Sequence, residues 1–137
     1  MRRIDIELGD VSVTGALFED KAPRAADRLW EALPVSTALR HARRSGNAAY
    51  LVPPGMATTE LAVENQVSFC YPGSICLMPS TGTILLAYGQ AQARTEDGNV
   101  WVTHLGELEG NTAAFFALLA ETQRKGVRQI TITRVED

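Results

Sequence analysis

The chain has 137 residues, 45% of them hydrophobic, which suits one domain spanning 1–137 around a single core and is too short for two of ordinary size. A formal charge of −3 and an isoelectric point near 5.4 provide no basic face for displacing counterions from phosphates, so nucleic acid is set aside as a partner. There is no apolar run of about 18 residues, and the opening Met-Arg-Arg-Ile-Asp mixes charged with apolar side chains, so no membrane contact is expected and a soluble, cytoplasmic protein is.

Taken in chain order, 2–8 sets Ile4, Ile6 and Leu8 on one face and Arg3, Asp5 and Glu7 on the other, the period of a half-buried strand. Gly9-Asp10 turns the chain into a second strand over 11–18, and the two predict a hairpin. Glu19-Asp20-Lys21-Ala22-Pro23 reads as a helix entry, with carboxylates where the amide dipoles emerge and proline near the first helical position. That helix is predicted to reach about Leu33, with Ala26, Leu29, Trp30 and Leu33 on its apolar side, Trp30 as a core anchor and Pro34 as its stop. The segment 36–44 suits either a strand or a short helical turn; with the break at Ser45-Gly46-Asn47 and a strand over 48–52, a hairpin is favoured. Pro53-Pro54-Gly55 closes that strand, and 57–66 reads as a loop, in which one helical turn would put Glu60 and Glu64 on one face.

The middle of the chain is the most legible. Val67–Tyr71, Ile75–Met78 and Thr83–Tyr88 are short apolar runs separated by Pro72-Gly73 and Ser80-Thr81-Gly82, the pattern of a β-meander. Cys70 and Cys76 flank its first turn, but a hairpin there would set position 70 opposite about position 75, a register that does not favour a bridge, so buried free thiols are expected. A structural zinc site would need four ligands, and no second Cys or His pair sits at ligand spacing. The polar stretch 90–99 reads as an exposed loop, 100–105 as an interior strand, and Asn111 as the N-cap of a helix over 112–125 whose first half is almost wholly apolar. Gln129–Val135 alternates again and ends the chain as a strand. Eight or nine strands with two separated helices predict a mainly β fold, a closed barrel plugged at its ends by helices.

The run from Gly15 to Trp30, in which a strand passes an acidic turn and Ala22-Pro23 into a helix, resembles the cyclophilin opening. Glu64-Asn65, Tyr71-Pro72-Gly73, Met78-Pro79, Ala87-Tyr88-Gly89, Gly98-Asn99 and the helix ending near Gly126 are similar in order and spacing to a bacterial branch of cyclophilin-like proteins of unknown function. The resemblance implies a closed eight-stranded cyclophilin-like β-barrel with two helices. It does not imply prolyl isomerisation, which in that family uses an arginine within Phe-His-Arg-Val-Ile-Pro followed by a Gln-Gly-Gly turn. This chain has Leu39-Arg40-His41-Ala42-Arg43-Arg44 and then Pro53-Pro54-Gly55 at the comparable places.

Among candidate functional residues, Arg40, His41, Arg43 and Arg44 form the one dense basic cluster, and guanidinium forks suit carboxylates or phosphates. His104, on an interior strand, has the titration range of an acid or base near neutrality, against the alternative of a structural histidine. Tyr50, Tyr71 and Tyr88 fall at or near strand ends, where a barrel rim gathers ligand-facing hydroxyls, and Glu60 with Glu64 or Gln90 with Arg94 would add polar contacts from the neighbouring loops. No G-x-S-x-G elbow, P-loop, dinucleotide glycine motif, H-E-x-x-H or Cys-x-x-Cys occurs, so no cofactor and no metal is expected and an enzyme would need a dispersed site. The leading expectation is a barrel that binds a small anionic or amide-bearing metabolite at its rim through Arg40, Tyr50, Tyr88, Arg94 and His104. The alternatives are an isomerase with a degenerate site and a homo-oligomeric interaction module whose apolar contact lies around Trp101.

Overall fold

The alternating N-terminal segment folds as expected into a hairpin of β1 (Arg3–Leu8) and β2 (Val11–Leu17), in which Ile4, Ile6 and Leu8 face inward opposite Gly15, Val13 and Val11. The structure, a computed structural model, describes residues 2–56 and 61–136. Helix α1 (Pro23–Ala32) follows, then β3 (Val35–His41) and β4 (Gly46–Leu51) as the favoured hairpin, with Arg40 opposite Tyr50. The middle holds the two-residue strands β5 (Gln66–Val67) and β6 (Phe69–Cys70), then β7 (Ser74–Met78) and β8 (Thr83–Gln92). A small ribbon of β9 (Arg94–Thr95) and β10 (Gly98–Asn99) leads into β11 (Val102–Glu109), helix α2 (Ala113–Lys125) and β12 (Arg128–Arg134).

Eight of these strands pair antiparallel in the order β2-β1-β12-β3-β4-β8-β7-β11, and β11 returns to β2, closing a barrel. An eight-stranded barrel is just wide enough for side chains to fill. Ile4, Ile6, Leu8, Leu39, Ile75, Leu77, Ile84, Leu86, Ile130 and Ile132 fill this one, all essentially without solvent contact. The helices close opposite ends. Trp30 of α1 sits by Arg2 at the start of β1, whereas Leu118 of α2 lies beside Gly9 at its end. Phe115, fully buried, and Leu119 drive α2 into the core; a side chain of that size contributes about 1.5–3 kcal/mol when removed from water.

Closure depends on a glycine. Gly106 pairs with Leu17 on one side and Ile75 on the other, and a Cβ at this position would run into the Ala16 carbonyl oxygen. The strand shifts register between His104 and Gly106, a β-bulge that turns β11 from the wall it shares with β7 toward the seam with β2.

Four expectations are corrected. Pro72-Gly73 is not a hairpin turn: β6 and β7 both pair with the same edge of β8, Cys70 opposite Ala91 and Cys76 opposite Leu85, so the chain jogs there and keeps its direction. The stretch 90–99 is not simply an exposed loop, since β8 runs on to Gln92, Ala91 and Ala93 are buried, and β9 pairs with β10. Trp30 is a core anchor only in part: it packs against the core but stays half-buried at the barrel end, with the guanidinium groups of Arg2 and Arg134 over its ring at 5.3 and 5.1 Å. The acidic entry also does not cap α1. Ala22 has no capping side chain, and Glu64 reaches in from 40 residues away to accept hydrogen bonds from the Arg24 and Ala25 amides at 3.4 and 2.9 Å. Glu60, which was to share a face with Glu64, lies outside the described residues.

The N-cap is Thr112 rather than Asn111, and the helix starts at Ala113, but the Asn111 side-chain oxygen still accepts the Ala113 amide at 3.1 Å. Two outcomes are expected. Gly106→Ala lowers stability in a urea melt by about 3 kcal/mol or more, because backbone rather than a yielding side chain blocks the new methyl group. Glu64→Ala costs about 1 kcal/mol, the value of a lost helix cap.

Candidate functional site

The outer face of the barrel carries a second, smaller layer. Ala48, Cys76, Leu85, Ala87 and Val102 point away from the interior and are buried by the segments around Cys70, Ala91 and Ala93, which fold back over β4, β8, β7 and β11. Backbone bonds hold this cover, Ala93 N–H to the Ser68 carbonyl at 2.8 Å and Gln92 N–H to the Ser45 carbonyl at 2.9 Å.

Pairing register lines up one row of outward side chains across five strands: Arg40, Tyr50, Leu85, Cys76 and His104. With neighbouring strands about 4.8 Å apart, Arg40 and Tyr50 are adjacent while His104 ends the row roughly 19 Å from Arg40. Where the cover leaves the row open lies a cleft of about 410 Å³. Tyr50, Leu85 and Met78 lie along it; Arg43 and Arg44 come from the β3–β4 turn, Arg94 and Glu96 from the ribbon region.

Arg40, Arg43 and Arg44 form no ion pair among the described residues. Arg94 is aimed by neutral acceptors, Nε to Asn99 Oδ1 at 2.9 Å and Nη2 to Gln92 Oε1 at 3.1 Å, which fix its plane, and it has no ion pair among the described residues. The buried Ser45 links the two sides, because its hydroxyl oxygen accepts the Arg94 amide at 3.2 Å one residue from Arg44. Against these three cations stands the single carboxylate of Glu96 among the described lining residues.

The five side chains singled out by sequence therefore fall into four environments. Tyr50 and Arg94 share the cleft. Arg40 borders a neighbouring hollow with His41, Arg43, Tyr50 and the end of α2, so Tyr50 and Arg43 stand between the two. Tyr88 is mid-strand in β8, not at its end, and packs against the interior core. Its hydroxyl lies 2.8 Å from His41 Nε2, while His41 Nδ1–H donates to the Ala42 carbonyl at 2.8 Å, so both ring nitrogens are engaged. Burial pushes the Tyr88 hydroxyl above the usual phenol range. Sequence reasoning passed over Ser45, Met78, Leu85 and Glu96, and only Met78 and Leu85 carried a signal, as outward positions of strands already assigned.

His104 is in a fourth environment. Its ring is edge-on to Phe18 and Tyr71, with centroids at 5.0 and 5.1 Å, and its Nε2 is buried without a partner among the described residues. Tyr71 donates its hydroxyl to Glu107 at 2.8 Å instead, and burial together with Glu107 drives that phenol far upward. Backbone bonds fix the histidine: Asn65 donates from Nδ2 to the His104 carbonyl at 3.0 Å and accepts the His104 amide at 3.1 Å. Trp101 stands apart, 60% exposed beside Val63 and Val100.

Desolvation lowers the His104 pKa from 6.5, outweighing the raising effect of Glu107, with Lys21 lowering it further. Because the unfolded chain then binds this proton more readily, the stability is complete above the ordinary imidazole value and is lost as pH falls through the folded one. Wild type is thus expected to lose melting temperature relative to His104→Phe as pH drops from about 7.5 to 5.5, and a pH-independent difference would remove the burial penalty from His104.

Residues 4–134 match the profile of a family described as protein of unknown function (DUF3830). No curated protein matches the chain. Among solved structures, a hypothetical protein from Archaeoglobus fulgidus superposes with a TM-score of 0.68 at 15% identity, over 98% of this chain and 95% of that one. McbB in complex with tryptophan gives 0.71 at 19%, over 98% of this chain but 46% of its own. A cyclophilin-type peptidyl-prolyl isomerase from Cryptosporidium parvum, in the presence of the dipeptide Ala-Pro, gives 0.60 at 13%, over 98% and 99%. The expected barrel is therefore the observed one, a cyclophilin-like fold, and the chain belongs to the DUF3830 family of unknown function.

Proposed function

We propose that this protein binds a small anionic molecule with an apolar or amide-bearing body in the cleft on the outer wall of its barrel. One observation carries the reading: Arg43, Arg44 and Arg94, none in an ion pair among the described residues, line one cleft alongside Tyr50, Leu85 and Met78. Free guanidinium groups beside an apolar surface attract a carboxylate or phosphate through charge-assisted, often bidentate, hydrogen bonds, while the ligand body covers Tyr50 and Leu85. Arg94 is pre-oriented by Asn99 and Gln92, so little of its rotational freedom remains to be lost on binding. The Tyr50 phenol lies where it can stack on a planar group or donate to an amide.

Arg40, also exposed and paired in register with Tyr50, favours a second reading, a proline-peptide isomerase, which is the activity of the Cryptosporidium neighbour. An arginine beside an aromatic ring on the outer wall of such a barrel has the chemistry to hold a prolyl carbonyl.

A thermal-shift panel of aromatic carboxylates, phenyl phosphate and tryptophan, the molecule McbB holds, tests the first reading. At least one anion is expected to raise the melting temperature, and Arg94→Ala to weaken its affinity by about 10- to 100-fold, as for a lost charge-assisted hydrogen bond. A panel without response, or a response unchanged in Arg94→Ala and Arg43→Ala, rejects the site. The second reading requires faster isomerisation of an Ala-Pro peptide over its slow uncatalysed rate, abolished in Arg40→Ala.

A further inference from the structure

We propose that Cys70 and Cys76 are a dithiol site that hydrogen peroxide converts reversibly into an intramolecular disulfide, with Cys70 the attacking and Cys76 the resolving sulfur. The two thiols are free, both buried, and their sulfur atoms are 3.3 Å apart. A disulfide bond is about 2.05 Å long, so closure needs a movement of roughly 1.3 Å, within the reach of side-chain rotation and slight strand adjustment. Nothing in a hairpin would give this approach. It arises because β6 and β7 lie along the same edge of β8, joined by the jog at Tyr71-Pro72-Gly73. The facing strand β4 shifts register between Gly46 and Ala48, and Asn47 presses on Gly89 so closely that no Cβ would fit there; this is where β8 bends between the two cysteine partners, Ala91 and Leu85.

The surroundings give the sulfurs different roles. Cys76 has no solvent contact and sits among Leu85, Ala87 and Val102, with the Ser74 hydroxyl 3.9 Å away. Cys70 retains 4% exposure at the margin, next to Phe69, which is 66% exposed. The two thiols share one hydrogen bond across 3.3 Å, and Cys70, the one with solvent contact, is the sulfur that a small oxidant reaches first. Strand β6 pairs with β8 through only Phe69 and Cys70, so a small local opening admits a molecule as compact as peroxide, whereas a glutathione-sized disulfide would need in-line space that the packed cover does not leave.

The chemistry balances without further reagents. The Cys70 thiolate attacks one peroxide oxygen, the O–O bond breaks, and hydroxide leaves and takes a proton, giving a sulfenic acid on Cys70. Cys76 gives up its proton as its sulfur attacks the Cys70 sulfur, and the sulfenic oxygen departs as a second water. Two thiols have then lost two electrons and two protons, and one peroxide has become two waters. The new bond ties β6 to β7 behind Leu85 on the cleft wall.

The test is intact-mass spectrometry of the full chain with graded hydrogen peroxide and no ligand, so its outcome is independent of the anion reading. Expected is a loss of two hydrogens, with both thiols closed to maleimide under denaturing conditions and both reopened by dithiothreitol. Cys76→Ala is expected to stop at a sulfenic acid that dimedone traps on Cys70, and Cys70→Ala to leave Cys76 unlabelled. Two thiols that stay reactive, oxygen added to Cys70 of the wild-type chain without hydrogen loss, or disulfides between chains would each overturn the proposal. Dimedone on Cys76 would overturn the division of roles, and the wild-type result decides even if a variant fails to fold.

Discussion

The return of β11 to β2 is the contact on which the rest of this structure depends. Without it the eight strands are an open sheet with two exposed edges, and the inward faces of β1, β7, β8 and β12 have no common interior to share. The requirement at that seam is narrow. Strand β11 must leave its partner β7, pass over a bulge and come close enough to β2 that only hydrogen fits between Gly106 and the Ala16 carbonyl. Once closed, the cylinder is full of Ile and Leu, and Phe115 and Leu29 finish the packing from the two helices. A filled interior has no room for a ligand, so polar and ionisable groups that do not serve the core collect on the outer wall.

That wall is organised by a few long-range polar bonds. The segment Glu64-Asn65 is one of them: Glu64 caps α1 through its side chain and donates its own amide to the Thr103 hydroxyl, and Asn65 clamps His104 by its backbone. Glu64, read from the sequence as a polar contact for a ligand, is therefore occupied together with Asn65 in joining a helix to β11. Ser45 plays a comparable part on the other side, tying the turn that carries Arg43 and Arg44 to the strand that carries Arg94. The cleft owes its positive character to this coupling of two loops, because exposed arginines on independent loops would separate under mutual repulsion.

The same wall explains why three candidate groups that looked equivalent differ in chemistry. Tyr50 faces outward at the cleft, whereas Tyr88 has the opposite parity and is drawn inward to His41. His104 shares the outward row with Tyr50, but Phe18 and Tyr71 close over it. Burial of an imidazole nitrogen among aromatic rings, with no hydrogen-bond partner among the described residues, disfavours the charged form, and the neighbouring Tyr71 hydroxyl is committed to Glu107.

What the sequence by itself determined is what depends on neighbours along the chain. Alternation over 2–8, 11–18 and 129–135, the turn residues around positions 9, 45 and 81, the stop at Pro34 and the amide acceptor Asn111 each act within a few residues, and each is where it was read. Only the tertiary structure decided the pairing of β6 with the far end of β8, the cap that Glu64 supplies to α1, the contact of Trp30 with two arginines and the meeting of Cys70 with Cys76. Each of these follows from strand order and curvature in a closed barrel, which bring together residues that no local period relates. The cleft belongs to the second kind: Arg43, Tyr50, Leu85 and Arg94 come from separate segments, and their proximity exists only once β4 and β8 are neighbours and the 91–99 segment has folded back over them.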